Sequence, residues 1–73
     1  MGQDYKQAMN WYQAAAAQGD SVAQYYIGIM YLDGLGVDKD AAAARGWFSK
    51  AAANGSSIAR AMLDQNPPGA PSP

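Results

Sequence analysis

Three residue types that carry much of enzyme chemistry are missing from this chain of 73 residues. It contains no cysteine, no histidine and no glutamate. The absence of cysteine excludes disulfides and thiolate chemistry. The absence of histidine removes the commonest general base and the commonest metal ligand. We therefore expect no catalytic site, no metal site and no cofactor.

Charge is also scarce, and the net charge is −1. The five basic residues are scattered singly, whereas binding to a phosphate backbone requires a basic stripe or patch. No apolar run approaches the roughly 20 residues that cross a bilayer. The first residues lack the basic and then apolar order of a signal peptide. Nucleic acid is thus not an expected partner, and neither membrane insertion nor a signal peptide is predicted.

What the chain does contain is a repeat of itself 36 residues later. Nine identical residues recur at this spacing, namely Asp4, Ala8, Trp11, Ala15, Ala16, Ala17, Gly19, Ser21 and Ala23, which return as Asp40, Ala44, Trp47, Ala51, Ala52, Ala53, Gly55, Ser57 and Ala59. Tyr12 is also answered by Phe48, and Ile27 by Leu63. A period of this size is typical of stacked helical units. Such arrays are usually binding surfaces.

Apolar residues fall at intervals of three and four, which predicts four helices. The first should run from Asp4 to Gln18 and stop at Gly19. Asp20 or Ser21 can cap the second, and Ser21 with Gln24 has the form of a capping box. The third should start after Asp40 and stop at Asn54-Gly55. The fourth should start at Ser56 or Ser57 and end before the prolines of residues 67–73, which we expect to be disordered.

Packing roles follow from the repeat and from residue size. The recurring Trp11 and Trp47 are predicted to be core residues, and Gly28 should make room for an indole. The second helix has two apolar faces and should lie between two neighbours. One of these faces is formed by Val22, Tyr25, Ile29 and Leu32, and we expect it to bind either a second copy of the chain or another protein. Leu35 and Val37 should fill the turn that follows.

Two short motifs resemble ligand-binding sites, one for phosphate and one for calcium, but the residues around them do not favour either function. Gly34-Leu35-Gly36 could cradle a phosphate, but no Lys-Ser/Thr pair follows it, so a turn is favoured. Asp33, Asp38 and Asp40 could suggest calcium, but the central glycine and the closing glutamate of the known loop are absent. We interpret these aspartates as helix-capping residues.

The run from Ala23 to Val37 closely resembles the Sel-like repeat, a tetratricopeptide-type helical repeat. The resemblance continues at fixed spacing through Asp40, Ala44, Trp47-Phe48, Ala51-Ala52 and Gly55. It implies an all-α fold in which antiparallel helix pairs stack as a short right-handed superhelix. The predicted module spans residues 1–66, divided into the second helix of one unit (4–19), a full unit (20–55) and the first helix of the next (56–66).

The resemblance also implies a non-catalytic scaffold or adaptor that binds another protein or a peptide. Gln24, Tyr25, Ile29 and Arg60 lie on the first helices of successive units, which line the concave face in such arrays. They are the predicted partner-binding residues, although Tyr25 and Ile29 could equally pack on an adjacent helix.

Two alternatives to a scaffold stay open. One is a self-associating repeat fragment of a larger exported protein, for example a homodimer. The other is an accessory arm of a cell-envelope hydrolase. The resemblance favours a bacterial cytoplasmic or periplasmic location, while the organism and the compartment stay open.

Overall fold

The computed structural model describes residues 4–65, which form four helices. These are α1 (Tyr5–Ala16), α2 (Ser21–Asp33), α3 (Ala41–Ala53) and α4 (Ser57–Gln65). Each helix packs against the next, so α2 lies between α1 and α3, and α3 lies between α2 and α4. The predicted all-α repeat fold is confirmed, as is the position of α2 between two neighbours. The prediction of a disordered tail over residues 67–73 lies outside the described residues.

A polar side chain caps the start of every helix. Asp4 Oδ1 accepts a hydrogen bond from Gln7 N–H, and Asp40 Oδ1 accepts one from Ala43 N–H. Asp20 Oδ1 accepts from Val22 and Ala23, and Ser56 Oγ accepts from Ala59 N–H. These bonds satisfy amides that have no partner within the helix. Asp40 therefore acts as a cap, as predicted. The same prediction was wrong for Asp33, which is the last residue of α2, and for Asp38, which precedes the cap of α3 by two residues.

The helix ends and the α2–α3 turn also follow from the sequence. α1 stops at Ala16, two residues earlier than predicted, and Gly19 follows with a φ of +89°. In the turn between α2 and α3, Leu35 and Val37 pack against the core as predicted. Gly36 is required there, since a Cβ at this position would lie 2.7 Å from the Cβ of Tyr5.

The interior consists of two apolar clusters. The first joins α1 to one side of α2, and its buried members are Met9, Ala16, Ala23, Ile27 and Met30. The second joins the other side of α2 to α3 and α4, and its buried members are Ala44, Phe48, Ala51 and Ala59. Five of these nine residues are alanines, so short side chains bring the helices close together. The two clusters explain why both faces of α2 are apolar.

Gly28 makes room for an aromatic ring, but the ring belongs to Phe48 and not to a tryptophan. A Cβ on Gly28 would lie 2.6 Å from Cε1 of Phe48. The prediction of an indole at this place was wrong because Trp47, one residue earlier, points toward the first cluster. Trp47 is half-buried, and the Lys50 ammonium lies 4.8 Å from its ring centroid.

Trp11 is not a core residue, which contradicts its predicted role. Its side chain is 69% exposed, although its repeat partner Trp47 packs against the first cluster. The reason is positional, because Trp47 has α1 and α2 beside it. Within the described residues, no helix takes the corresponding place beside Trp11.

Candidate interaction surface

Gln24 lies in the interior, so the prediction that it contacts a partner was wrong. The residue is 1% exposed. Its Nε2 donates to the carbonyl oxygen of Ala16 at 3.0 Å, and its Oε1 accepts from Nδ2 of Asn54 at 2.9 Å. The side chain thereby ties the ends of α1 and α3 to the start of α2. Both polar ends of the Gln24 amide are thus used inside the fold, so Gln24 does not form the predicted capping box with Ser21. The N-cap of α2 is Asp20.

Tyr25 and Ile29 are half-buried and pack against the second cluster. The Tyr25 ring centroid lies 5.8 Å from that of Phe48. Leu32 packs against the same cluster, so most of the apolar face that was expected to seek a partner is covered by α3 and α4. Among the four residues of that face, Val22 alone is exposed.

Arg60 lies on the surface of α4, with Asp64 one turn further on. Its Nε is 3.7 Å from Oδ1 of Asp64, and both side chains are largely exposed. An exposed pair of this kind contributes little to stability, because water screens both charges. Arg60 is available for contact with a partner, which remains a prediction.

Two exposed apolar residues recur at the repeat spacing. Val22 belongs to the apolar face that was predicted to bind a partner, whereas the sequence reasoning did not single out Ile58. Val22 in the first turn of α2 is 58% exposed, and Ile58 in the first turn of α4 is 59% exposed. They are 36 residues apart and thus hold the same place in successive units. Val22 stays exposed although its helix has neighbours on both sides. We call these two residues the first-helix row. The repeat itself was the signal that could have found them.

A second apolar surface lies on α1 and the adjoining part of α2. It contains the exposed residues Trp11 and Tyr26 and the half-buried Tyr12. The rings of Tyr12 and Tyr26 stack with a centroid distance of 5.3 Å and an interplanar angle of 22°. Aromatic residues are enriched at protein interfaces, since they bring large area with few rotatable bonds.

The concavity between α2, α3 and α4 is small, with a volume of about 190 Å³. Its lining residues are Leu32, Ala41, Arg45, Phe48, Met62 and Leu63. Ala41 stands where the first unit has the larger Tyr5, and the charged Arg45 stands where it has the apolar Met9. The space suits one side chain of a partner and falls short of the roughly 300 Å³ at which ligand pockets begin.

The residues that the structure describes also bear on two other kinds of site, a membrane span and a metal site. No helix in residues 4–65 is long and apolar enough to cross a membrane. The same residues bring together no group of three acidic side chains that could hold a metal ion. The described surface is therefore best characterised by its apolar patches.

Comparison with protein families identifies the repeat. The model of the Sel1 repeat matches residues 1–20 and again residues 21–56, which together make up well over half of the chain. The chain belongs to the Sel1 repeat family. Sel1 repeats generally mediate protein–protein interactions and are non-catalytic. A search of curated proteins finds no match, and a search of solved structures finds none.

Proposed function

We propose that this chain is a non-catalytic interaction module that binds a partner protein or peptide through the surface of its helical repeats. Membership of the Sel1 repeat family supports the general role. The observation that carries the proposal for this chain is the first-helix row, in which Val22 and Ile58 are equally exposed at equivalent positions. The packing of the described helices leaves both side chains uncovered, so both are available to a partner.

The row offers a partner two contacts of the same kind on neighbouring first helices. A peptide with apolar side chains at a matching spacing could place one on each. The scaffold needs little change of shape, because the underlying helices are already held by the two clusters.

Selection of displayed random peptides on the immobilised chain tests this function. We expect enriched sequences with apolar residues that bind the wild type in solution. Binding should weaken at least tenfold in the Val22→Asp, Ile58→Asp double variant, because both substitutions place a charge against an apolar contact.

Ser49→Asp is a matched control, since Ser49 is an exposed residue on α3 outside the row. It should bind as the wild type does, and circular dichroism should show all three proteins equally helical. Failure to enrich any peptide over an unrelated helical domain would contradict the proposal. So would equal binding by the wild type and the double variant.

A further inference from the structure

The repeat allows each residue of α1 to be compared with its counterpart in α3. Phe48 on α3 is 4% exposed, because Gly28 and the rest of α2 cover it. Its counterpart Tyr12 on α1 is only half-buried, and the exposed Trp11 corresponds to the half-buried Trp47. The alanines behave in the same way, since Ala8 and Ala15 are half-buried whereas their counterparts Ala44 and Ala51 are fully buried. Among residues 4–65, α1 therefore has no neighbour of the kind that α2 provides for α3.

We call the surface formed by Ala8, Trp11, Tyr12, Ala15 and Tyr26 the α1 face. Its residues on α1 keep the apolar character of a covered interface, because the alanines and the tryptophan are identical in the two units and tyrosine replaces phenylalanine. The first-helix row differs in this respect, as its two members are equally exposed in both units. Residues that are exposed in one unit and buried in the other mark a face without its neighbour, whereas residues that are exposed in both units mark the ordinary surface of the array.

The other end of the described array is charged. α4 holds the place in its unit that α2 holds in the preceding one, so Arg60 corresponds to Gln24 and Asp64 to Gly28. Gly28 is the residue that admits the Phe48 ring, and even a Cβ there would lie 2.6 Å from it. The side chain of Asp64 would therefore collide with an aromatic ring placed as Phe48 is. The charges of the Arg60–Asp64 pair also favour exposure of this helix face to water.

This difference limits what can cover the α1 face. The α4 helix of a second copy fits poorly, because Asp64 would meet Tyr12. The α2 helix of a second copy is already held between its own α1 and α3. A helix of the α2 type that a partner supplies therefore fits this face better than either helix of a second copy.

We propose that the α1 face binds one apolar helix of a partner, with glycine or alanine opposite Tyr12 and glutamine or asparagine four residues earlier. The proposal rests on the interaction function proposed above and assigns it a second surface and a partner chemistry. The small residue follows from the fit of Gly28 over Phe48. The docked helix would lie beside the place where α1 contacts α2, and it would cover the stacked rings of Tyr12 and Tyr26.

The amide requirement comes from a hydrogen bond in the complete unit. Nδ2 of Asn54 donates to Oε1 of Gln24, which lies four residues before Gly28. The counterpart of Asn54 is Gln18, an exposed residue that follows the end of α1. A glutamine or asparagine on the partner helix, four residues before its glycine or alanine, would form a hydrogen bond with Gln18. Burial of this hydrogen bond would favour the register in which the small residue lies opposite Tyr12.

A synthetic peptide with the sequence of residues 20–33 is the probe, since this segment contains the one helix known to fit such a face. It carries added terminal lysines for solubility and a fluorescein label for anisotropy. We expect saturable binding with a Kd between about 1 µM and 1 mM, because ordering a free peptide into a helix lowers its affinity. In NMR spectra the indole N–H signal of Trp11 should shift, while that of Trp47 should stay in place.

Matched variants test each side of the contact. Gly28→Leu in the peptide should weaken binding at least tenfold, even though leucine favours the helix more than glycine does. Trp11→Ala in the protein should weaken it to a similar extent without unfolding, because Trp11 is exposed. Ser49→Asp in the protein should leave the affinity unchanged.

Absence of saturable binding at 1 mM peptide, or a shift confined to Trp47, would overturn the proposal. A wild-type dimer in sedimentation that Trp11→Ala converts to a monomer would also overturn it, since a second copy would then cover the face. The peptide-display experiment separates this failure from that of the proposed function. If the binding of displayed peptides still depends on Val22 and Ile58, the proposed function holds and only the proposal for the α1 face is wrong.

Discussion

Replacement of Phe48 by alanine is expected to remove a large share of the stability of this domain. Phe48 is 4% exposed and lies at the centre of the second cluster, where it touches Gly28 and the ring of Tyr25. Loss of a buried phenylalanine costs about 3–5 kcal/mol, because a cavity remains. A chain of this length has roughly 4–11 kcal/mol in total. Urea unfolding followed by far-UV circular dichroism measures the loss.

Phe48→Leu is the control for this prediction. It keeps an apolar side chain in the cavity and should cost less than about 1.5 kcal/mol if the neighbours repack around it. Equal losses for the two variants would show that the aromatic ring itself, and not the filled volume, holds α2 against α3. A Phe48→Ala variant as stable as the wild type would mean that α2 and α3 do not pack as described.

Replacement of Ile27 by alanine is expected to have the next largest effect. Ile27 is 0% exposed and belongs to the first cluster, between α1 and α2. The substitution should cost about 2–5 kcal/mol, according to how far the helices can close on the cavity. The measurement is again the free energy of unfolding, from the midpoint and slope of the urea transition.

Ile58→Ala is a matched control because it makes the same chemical change at an exposed site. Ile58 is 59% exposed, so its replacement should alter stability by no more than about 0.5 kcal/mol. If both isoleucines proved equally costly, Ile58 would have to be buried in solution, for instance by a second copy of the chain. The first-helix row would then not be a free surface.

The helices and their starts could be predicted from the sequence because the signals are local. Asp20 and Asp40 each precede an apolar periodic run, and each caps the helix that follows. The two apolar faces of α2 likewise predicted a helix between two neighbours. Spacing along the chain is enough for such inferences, since it depends on helical geometry alone.

Burial at the ends of the array could not be predicted in this way. Trp11 and Trp47 have the same place in the repeat, yet among the described helices Trp47 packs against the first cluster whereas Trp11 stays exposed. Gln24 was taken for a surface residue because a polar side chain seldom lies in a core. The acceptors and donors that satisfy it, at Ala16 and Asn54, lie 8 and 30 residues away and meet only in the folded chain.

Partner-binding residues were the least predictable part. Tyr25 and Ile29 were chosen for their type, and type does not distinguish a contact with a partner from a contact with α3 and α4. Burial in the folded chain separates surface residues from interior ones, and it leaves Val22 and Ile58 on the surface. Equivalent exposure in successive units is the feature that identifies the row.

The uncovered α1 face is tested most directly by the solvent access of its tryptophan. Trp47→Phe leaves Trp11 as the only indole, and Trp11→Phe leaves Trp47. We expect acrylamide to quench Trp11 strongly, with emission close to that of indole in water. Trp47 should be quenched less and emit at shorter wavelength, because it packs against the first cluster. Equal quenching of the two, or stronger protection of Trp11, would contradict an open α1 face.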